Sequence, residues 1–107
     1  MGRCVDLKDH FKRERVEVLG ELEQVIRQRQ ADRPEGSCTA RLFERGRKRI
    51  LQKVGEEAVE MLVAGMSEER EEMICEASDL IFHLLVALRD AGITLSEVAA
   101  ELQARRK

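Results

Sequence analysis

Two pairs of acids lie in the most apolar part of this chain. Glu57 and Glu60 belong to E-E-A-V-E (56–60), and Glu76 and Asp79 to E-A-S-D (76–79). Charged groups are costly to bury unless something compensates them. A fold that takes both segments inward must set the four acids around a cation. A hard divalent metal with oxygen ligands is the fitting kind, and such ions commonly hold phosphates.

The surrounding sequence reads as all helical, with a single Pro, few β-branched runs and much Glu, Leu, Ala and Arg. Residues 1–15 read as a loosely ordered arm, and 16–107 as one domain. A first helix is expected over about 16–30, from the spacing of Val16, Leu19, Leu22, Val25 and Ile26. The segment around Pro34 and Gly36 ends it. Ser37 or Thr39 caps a short second helix reaching Arg45, and Gly46 marks a bend. A third helix covers about 47–65, and Gly65-Met66-Ser67 forms a turn with Ser67 as N-cap of the fourth. Glu68, Glu69, Glu71 and Glu72 suit the positive end of that fourth helix, which reaches Asp90 and stops at Gly92. Thr94-Leu95-Ser96-Glu97 is a capping box for a last helix to about Ala104.

The fourth helix carries Leu80-Ile81-Phe82-His83-Leu84-Leu85-Val86-Ala87-Leu88 and is apolar nearly all round, so it must be buried on most sides. One chain of this size has too few other helices to cover it. The expected architecture is an all-α bundle of four to five helices around a central antiparallel helix hairpin, completed by homodimerisation with helix four at its centre.

Helix geometry gathers the acids. At about 100° per residue, Glu56, Glu57, Glu60 and Lys53 share an arc of roughly 100°, and Glu72, Glu76, Asp79 and His83 one of about 60°. The numbers 60 and 76 average 68, and so do 57 and 79. In a hairpin turning near 68, Glu60 stands level with Glu76, and Glu57 with Asp79. Glu56 has three open roles: ligand, acid acting through water, or partner of Lys53. Residues 41–53 carry Arg41, Arg45, Arg47, Lys48, Arg49 and Lys53 against Glu44. A metal cluster beside such cations suits a phosphate-rich ligand. Glu68–Glu72 read as solvated first-turn acids, and His83 as a core or interface histidine. No G-x-x-x-x-G-K-[ST] loop exists, which excludes a Walker-type phosphate site.

Charge balance excludes other classes. Lys and Arg number 19 against 21 Asp and Glu, so no global field favours nucleic acid or a membrane surface. Tyr and Trp are absent and Phe occurs three times, leaving few platforms for base stacking. No apolar run approaches the roughly 20 residues that a bilayer needs. The first residues show no signal-peptide stretch. Cys4, Cys38 and Cys75 form no C-x-x-C pair and read as reduced structural thiols, so a cytoplasmic location is expected.

The stretch S-C-T-A-R-L-F-E-R-G-R-K-R-I-L-Q-K-V-G-E-E-A-V-E (37–60), with E-A-S-D-L-I-F-H-L-L-V-A-L (76–88), closely resembles the phosphoribosyl-ATP pyrophosphatase family of histidine biosynthesis. That family belongs to the all-α (MazG-like) nucleotide pyrophosphatases, marked by E-E-x-x-E and, further on, E-x-x-D. The acid motifs indicate only the superfamily, whereas T-A-R-L-F-x-x-G and K-V-G-E-E-A-V-E are specific to this member. The resemblance implies a Mg²⁺-dependent homodimeric enzyme that hydrolyses phosphoribosyl-ATP to phosphoribosyl-AMP and pyrophosphate. By motif position it makes Glu57, Glu60, Glu76 and Asp79 the metal ligands and Glu56 an accessory or water-positioning acid. Lys53, with Lys48 and Arg49, becomes a phosphate contact, and Thr39 and Arg41 substrate contacts. Cys38 stands where the family often has Tyr. Many relatives are fused to the cyclohydrolase that acts next; this chain is expected to hand its product to a separate one. Rival readings are a house-cleaning (d)NTP pyrophosphatase with the same metal site, and a non-catalytic helical dimerisation module. A di-iron bundle is disfavoured because no Glu precedes a His by three residues.

Overall fold

The computed structural model describes residues 15–106. The expected arm lies outside them except for Arg15, as do His10 and Cys4. Five helices follow one another among the described residues: α1 (Val18–Asp32), α2 (Cys38–Arg45), α3 (Arg47–Met66), α4 (Arg70–Asp90) and α5 (Leu95–Ala104). None is long and apolar enough to cross a membrane.

Local chemistry sets most of the boundaries. Helix α1 runs two residues past its expected end, stopping where Arg33 turns left-handed (φ 46°) and donates its N–H to the Arg29 carbonyl, just before Pro34. Of the two candidate caps of α2, Ser37 is the one used: its Oγ accepts from the Ala40 N–H at 3.0 Å. Gly46, at φ 95° and ψ 172°, separates α2 from α3 in a region of backbone space that side chains exclude. Thr94 and Glu97 form the expected capping box of α5.

The turn between α3 and α4 differs from expectation. Ser67 is not the N-cap of α4. Its hydroxyl donates back to the Val63 carbonyl at 3.0 Å, so it belongs to the last turn of α3. Glu68 then takes a left-handed conformation (φ 60°), Glu69 becomes the N-cap without a side-chain capping bond, and α4 starts at Arg70. The hydroxyl is consumed by the preceding helix before it can serve the next one.

Helices α3 and α4 form the central antiparallel hairpin, the most extensive pairing in the chain. The core sits at the open end of that hairpin. Ile26, Phe43, Ile50, Leu85 and Val86 are buried there, with Leu22, Leu42, Phe82, Leu88 and Leu95 packed against them. Polar ties fasten the same end. Arg47 Nε donates to Asp90 Oδ2 at 2.7 Å, Arg89 Nε to Gln30 Oε1 at 2.7 Å, and the Leu95 N–H to Glu23 Oε2 at 2.7 Å. Beyond the core, towards the turn, the hairpin is bare. Val59, Leu62, Val63 and Met66 of α3 and Met73, Ile74, Ile81 and Leu84 of α4 are exposed. Within one chain, therefore, α4 is not buried on most sides; only Leu85 and Val86 are.

Candidate active site

The acid cluster occupies the middle of the hairpin, between the buried core and the turn. Glu57, Glu76 and Asp79 converge, each offering a carboxylate oxygen within 4.8 Å of the others. Glu57 is the one buried charged residue among the described residues, at 6% exposure, and Lys53 Nζ meets its Oε2 at 3.1 Å. The i,i+4 spacing on α3 places that ammonium one turn before the carboxylate. Glu76 is half-buried, and its Oε1 is fully enclosed without a hydrogen-bond partner. Partial burial pushes its pKa up, followed by the neighbouring Glu60 carboxyl and the charges of Asp79 and Glu57. One lysine against four carboxylates leaves a deficit of positive charge that a divalent cation fits. Glu60 is more exposed and stands beside Glu76 rather than within the three-residue group.

Glu56 turns outward. Its Oε2 accepts from Arg49 Nη1 at 3.3 Å and its Oε1 lies 3.7 Å from Lys53 Nζ. Of the three roles open to it in the sequence, pairing with cations is the one this geometry displays. Arg49 thereby joins Lys53 beside the acids. Lys48 is exposed and makes no ion pair among the described residues. Thr39 and Arg41 lie on α2, away from the hairpin's acids; Arg41 lines a separate polar cavity of about 320 Å³ with Arg33, Ser37 and Glu44.

Two features exceed the sequence reading. His83, expected in the core or an interface, is half-buried one turn beyond Asp79, edge-on to Phe82 with ring centroids 5.0 Å apart. Its Nδ1 is enclosed without a partner. Burial first, then Lys53, hold its pKa low, while Glu57 and Asp79 oppose them, so the ring faces the same charges as the acid cluster. The i,i+4 relation to Asp79 was the available signal. The second feature is a groove of about 330 Å³ running from Glu60 and Glu76 to Glu69 and Glu72. The first-turn acids of α4 are therefore continuous with the cluster, because the displaced start of α4 turns Glu72 into the hairpin groove.

Comparison with known proteins adds a family. The phosphoribosyl-ATP pyrophosphohydrolase (PRA-PH) profile matches residues 19–106, most of the chain and every acid of the cluster. The chain belongs to this family. A phosphoribosyl-ATP pyrophosphatase of Metallosphaera sedula is 52% identical over 91 residues, covering 85% of this chain and 98% of the relative. Histidine biosynthesis bifunctional proteins HisIE are similar too. That of Photobacterium profundum is 47% identical over 104 residues (95% of this chain, 50% of the relative). That of Vibrio parahaemolyticus is 47% identical over 89 residues (83% and 42%). The chain spans about half the length of these bifunctional relatives. Within the PRA-PH family the all-α architecture and the hairpin acids form one unit, and the matched span begins with α1 and ends after α5.

Proposed function

We propose that this chain hydrolyses the α/β phosphoanhydride of phosphoribosyl-ATP, giving phosphoribosyl-AMP and pyrophosphate in histidine biosynthesis. The observation that carries the reading is the convergence of Glu57, Glu76 and Asp79 within 4.8 Å, with Lys53 at their edge. An all-oxygen donor set with an enclosed, unpartnered Glu76 oxygen fits a hard divalent cation. Glu57, Glu76 and Asp79 would hold Mg²⁺, with Glu60 beside them. When bound, Mg²⁺ supplies positive charge against the triphosphate and the leaving pyrophosphate.

The chain's own groups do the rest. Lys53 faces the phosphates from the rim of the cluster and stabilises oxygens that gain charge as the anhydride breaks. Arg49 stands beside it, and Lys48 extends the basic face of α3. Glu56, bound to both Arg49 and Lys53, holds these cations in place and presents a carboxylate that can orient a water for in-line attack. Thr39 and Arg41 are assigned to the phosphoribosyl end of the substrate.

The bare half of the hairpin supports a homodimer, since exposed apolar faces of this kind mark interaction sites. A cytoplasmic location fits a biosynthetic enzyme family. A separate cyclohydrolase as recipient of the product fits the Metallosphaera relative, which this chain covers almost end to end.

The test is product identification. The pure protein with phosphoribosyl-ATP and Mg²⁺ should release pyrophosphate and phosphoribosyl-AMP, and chelation should stop it. Glu57→Gln and Asp79→Asn should each reduce turnover at least a hundredfold while far-UV dichroism stays helical. Near-normal rates in either variant would remove its ligand role. Faster hydrolysis of dNTPs than of phosphoribosyl-ATP would favour the house-cleaning reading. No turnover with either substrate class and no Mg²⁺ effect on melting would favour a non-catalytic module.

A further inference from the structure

Gly55 lies mid-way along the 20-residue helix α3. Glycine there costs stability relative to alanine, because a freer backbone must be fixed. Nothing among the described residues requires it. Gly55 is not among the residues with positive φ, and no atom lies within 4 Å of where a Cβ would stand. Its neighbours on the same face are apolar and exposed: Leu51 at 53%, Val59 at 60% and Leu62 at 58%. At about 100° per residue these four positions share an arc of roughly 80°, opposite the side on which Ile50, Glu57 and Ala64 are buried. A shallow cavity of about 540 Å³ over Gly55 and Val59, rimmed by Glu56 and Glu60, marks the missing side chain.

We propose that two copies of this chain associate with their α3 helices crossing antiparallel at Gly55. The proposal rests on the homodimer reading and specifies it. A two-fold axis at Gly55 sets Leu51 of one copy against Val59 of the other, and the reverse, which makes the face self-complementary. The exposed apolar side chains of the hairpin present on the order of 1,000 Å², more than a monomer ordinarily leaves bare and about what one partner of a standard interface buries. Charge agrees with the antiparallel sense. Arg45, Arg47 and Lys48 stand at the start of α3, and Glu68 and Glu69 just past its end. Antiparallel crossing brings each basic end towards the partner's acidic end, whereas parallel crossing would oppose like charges. The separation of packed helices is set by the side chains at their contact, so a crossing at glycine is the closest available.

The experiment compares the unmodified protein with Gly55→Ala and with Gly20→Ala, a helical glycine of α1 that is likewise open. Sedimentation equilibrium and thermal melting over a dilution series are the readouts. Gly20→Ala should leave the dimer constant unchanged and raise the melting temperature, as alanine does in an open helix. Gly55→Ala should weaken the dimer at least tenfold and melt lower at concentrations where the unmodified chain is dimeric. Leu51→Lys and Val59→Glu should each be monomeric alone and form a dimer when mixed. A Gly55→Ala protein that dimerises normally and melts higher would overturn the crossing while leaving the homodimer standing. So would failure of the mixed variants to pair. Normal dimerisation with a raised KM for phosphoribosyl-ATP would assign the face to substrate and also overturn it. A monomeric unmodified chain at every concentration would sink the homodimer reading itself.

Discussion

Glu76 carries the conflict that the site is built around. Its carboxyl is half-enclosed, one oxygen lacks any partner, and three other acids face it. These raise its folded-state pKa above the ordinary 4.5, so without a cation the folded protein holds a proton there that the unfolded chain has lost. The destabilisation is therefore present above the folded pKa and disappears as pH falls towards the unfolded value. In the presence of a chelator, Glu76→Gln should melt higher than the unmodified protein at pH 7–8, and the difference should shrink as pH is lowered towards 5. A difference that stays constant with pH would show that ionisation of Glu76 is not its source. The four acids and Lys53 were legible as a group because helical spacing and hairpin level are arithmetic on the sequence. The outward turn of Glu56 and the inward place of His83 were not. Both depend on which long side chain reaches which neighbour, and that is settled only after the helices pack.

At the scale of elements, the caps show how far local chemistry reaches. Ser37 and Thr94 act as N-caps because each hydroxyl meets an N–H three residues on with no competing acceptor nearby. Ser67 has the same residue type in a plausible position, yet the last turn of α3 takes its hydroxyl. Replacing Ser37 by Ala should cost about 1 kcal/mol, measured as a shift of the urea midpoint at unchanged slope. Ser67→Ala should cost less, since back-bonding to a carbonyl four residues earlier contributes little to a helix. Comparable losses in the two variants would mean that Ser67 serves α4 after all.

At the scale of the molecule, stability and site occupy different ends of one hairpin. The apolar core at Ile26, Phe43, Ile50, Leu85 and Val86 holds the helices, and the acids lie further out where the chain leaves its own surface bare. Ile50 is 1% exposed at the junction of α2, α3 and α4. Ile50→Ala should cost roughly 2–5 kcal/mol through lost burial and the cavity left behind. At about 4–8 °C per kcal/mol for a domain of this size, the melting temperature should fall by more than 10 °C at fixed protein concentration. A fall of only a few degrees would mean that the core can collapse around the gap.

The amino-acid sequence by itself determined the helices, the hairpin and the set of acids. Each follows from residue spacing along one rod or from the level of two rods joined by a short turn, and such relations survive any choice of packing. Only the tertiary structure decided how α4 begins, that Glu72 and Glu69 extend the acid groove, that Arg41 sits in a cavity of its own, and that half the hairpin stays uncovered. Those outcomes rest on contacts between helices far apart in sequence, where a rotation of a few tens of degrees exchanges one neighbour for another.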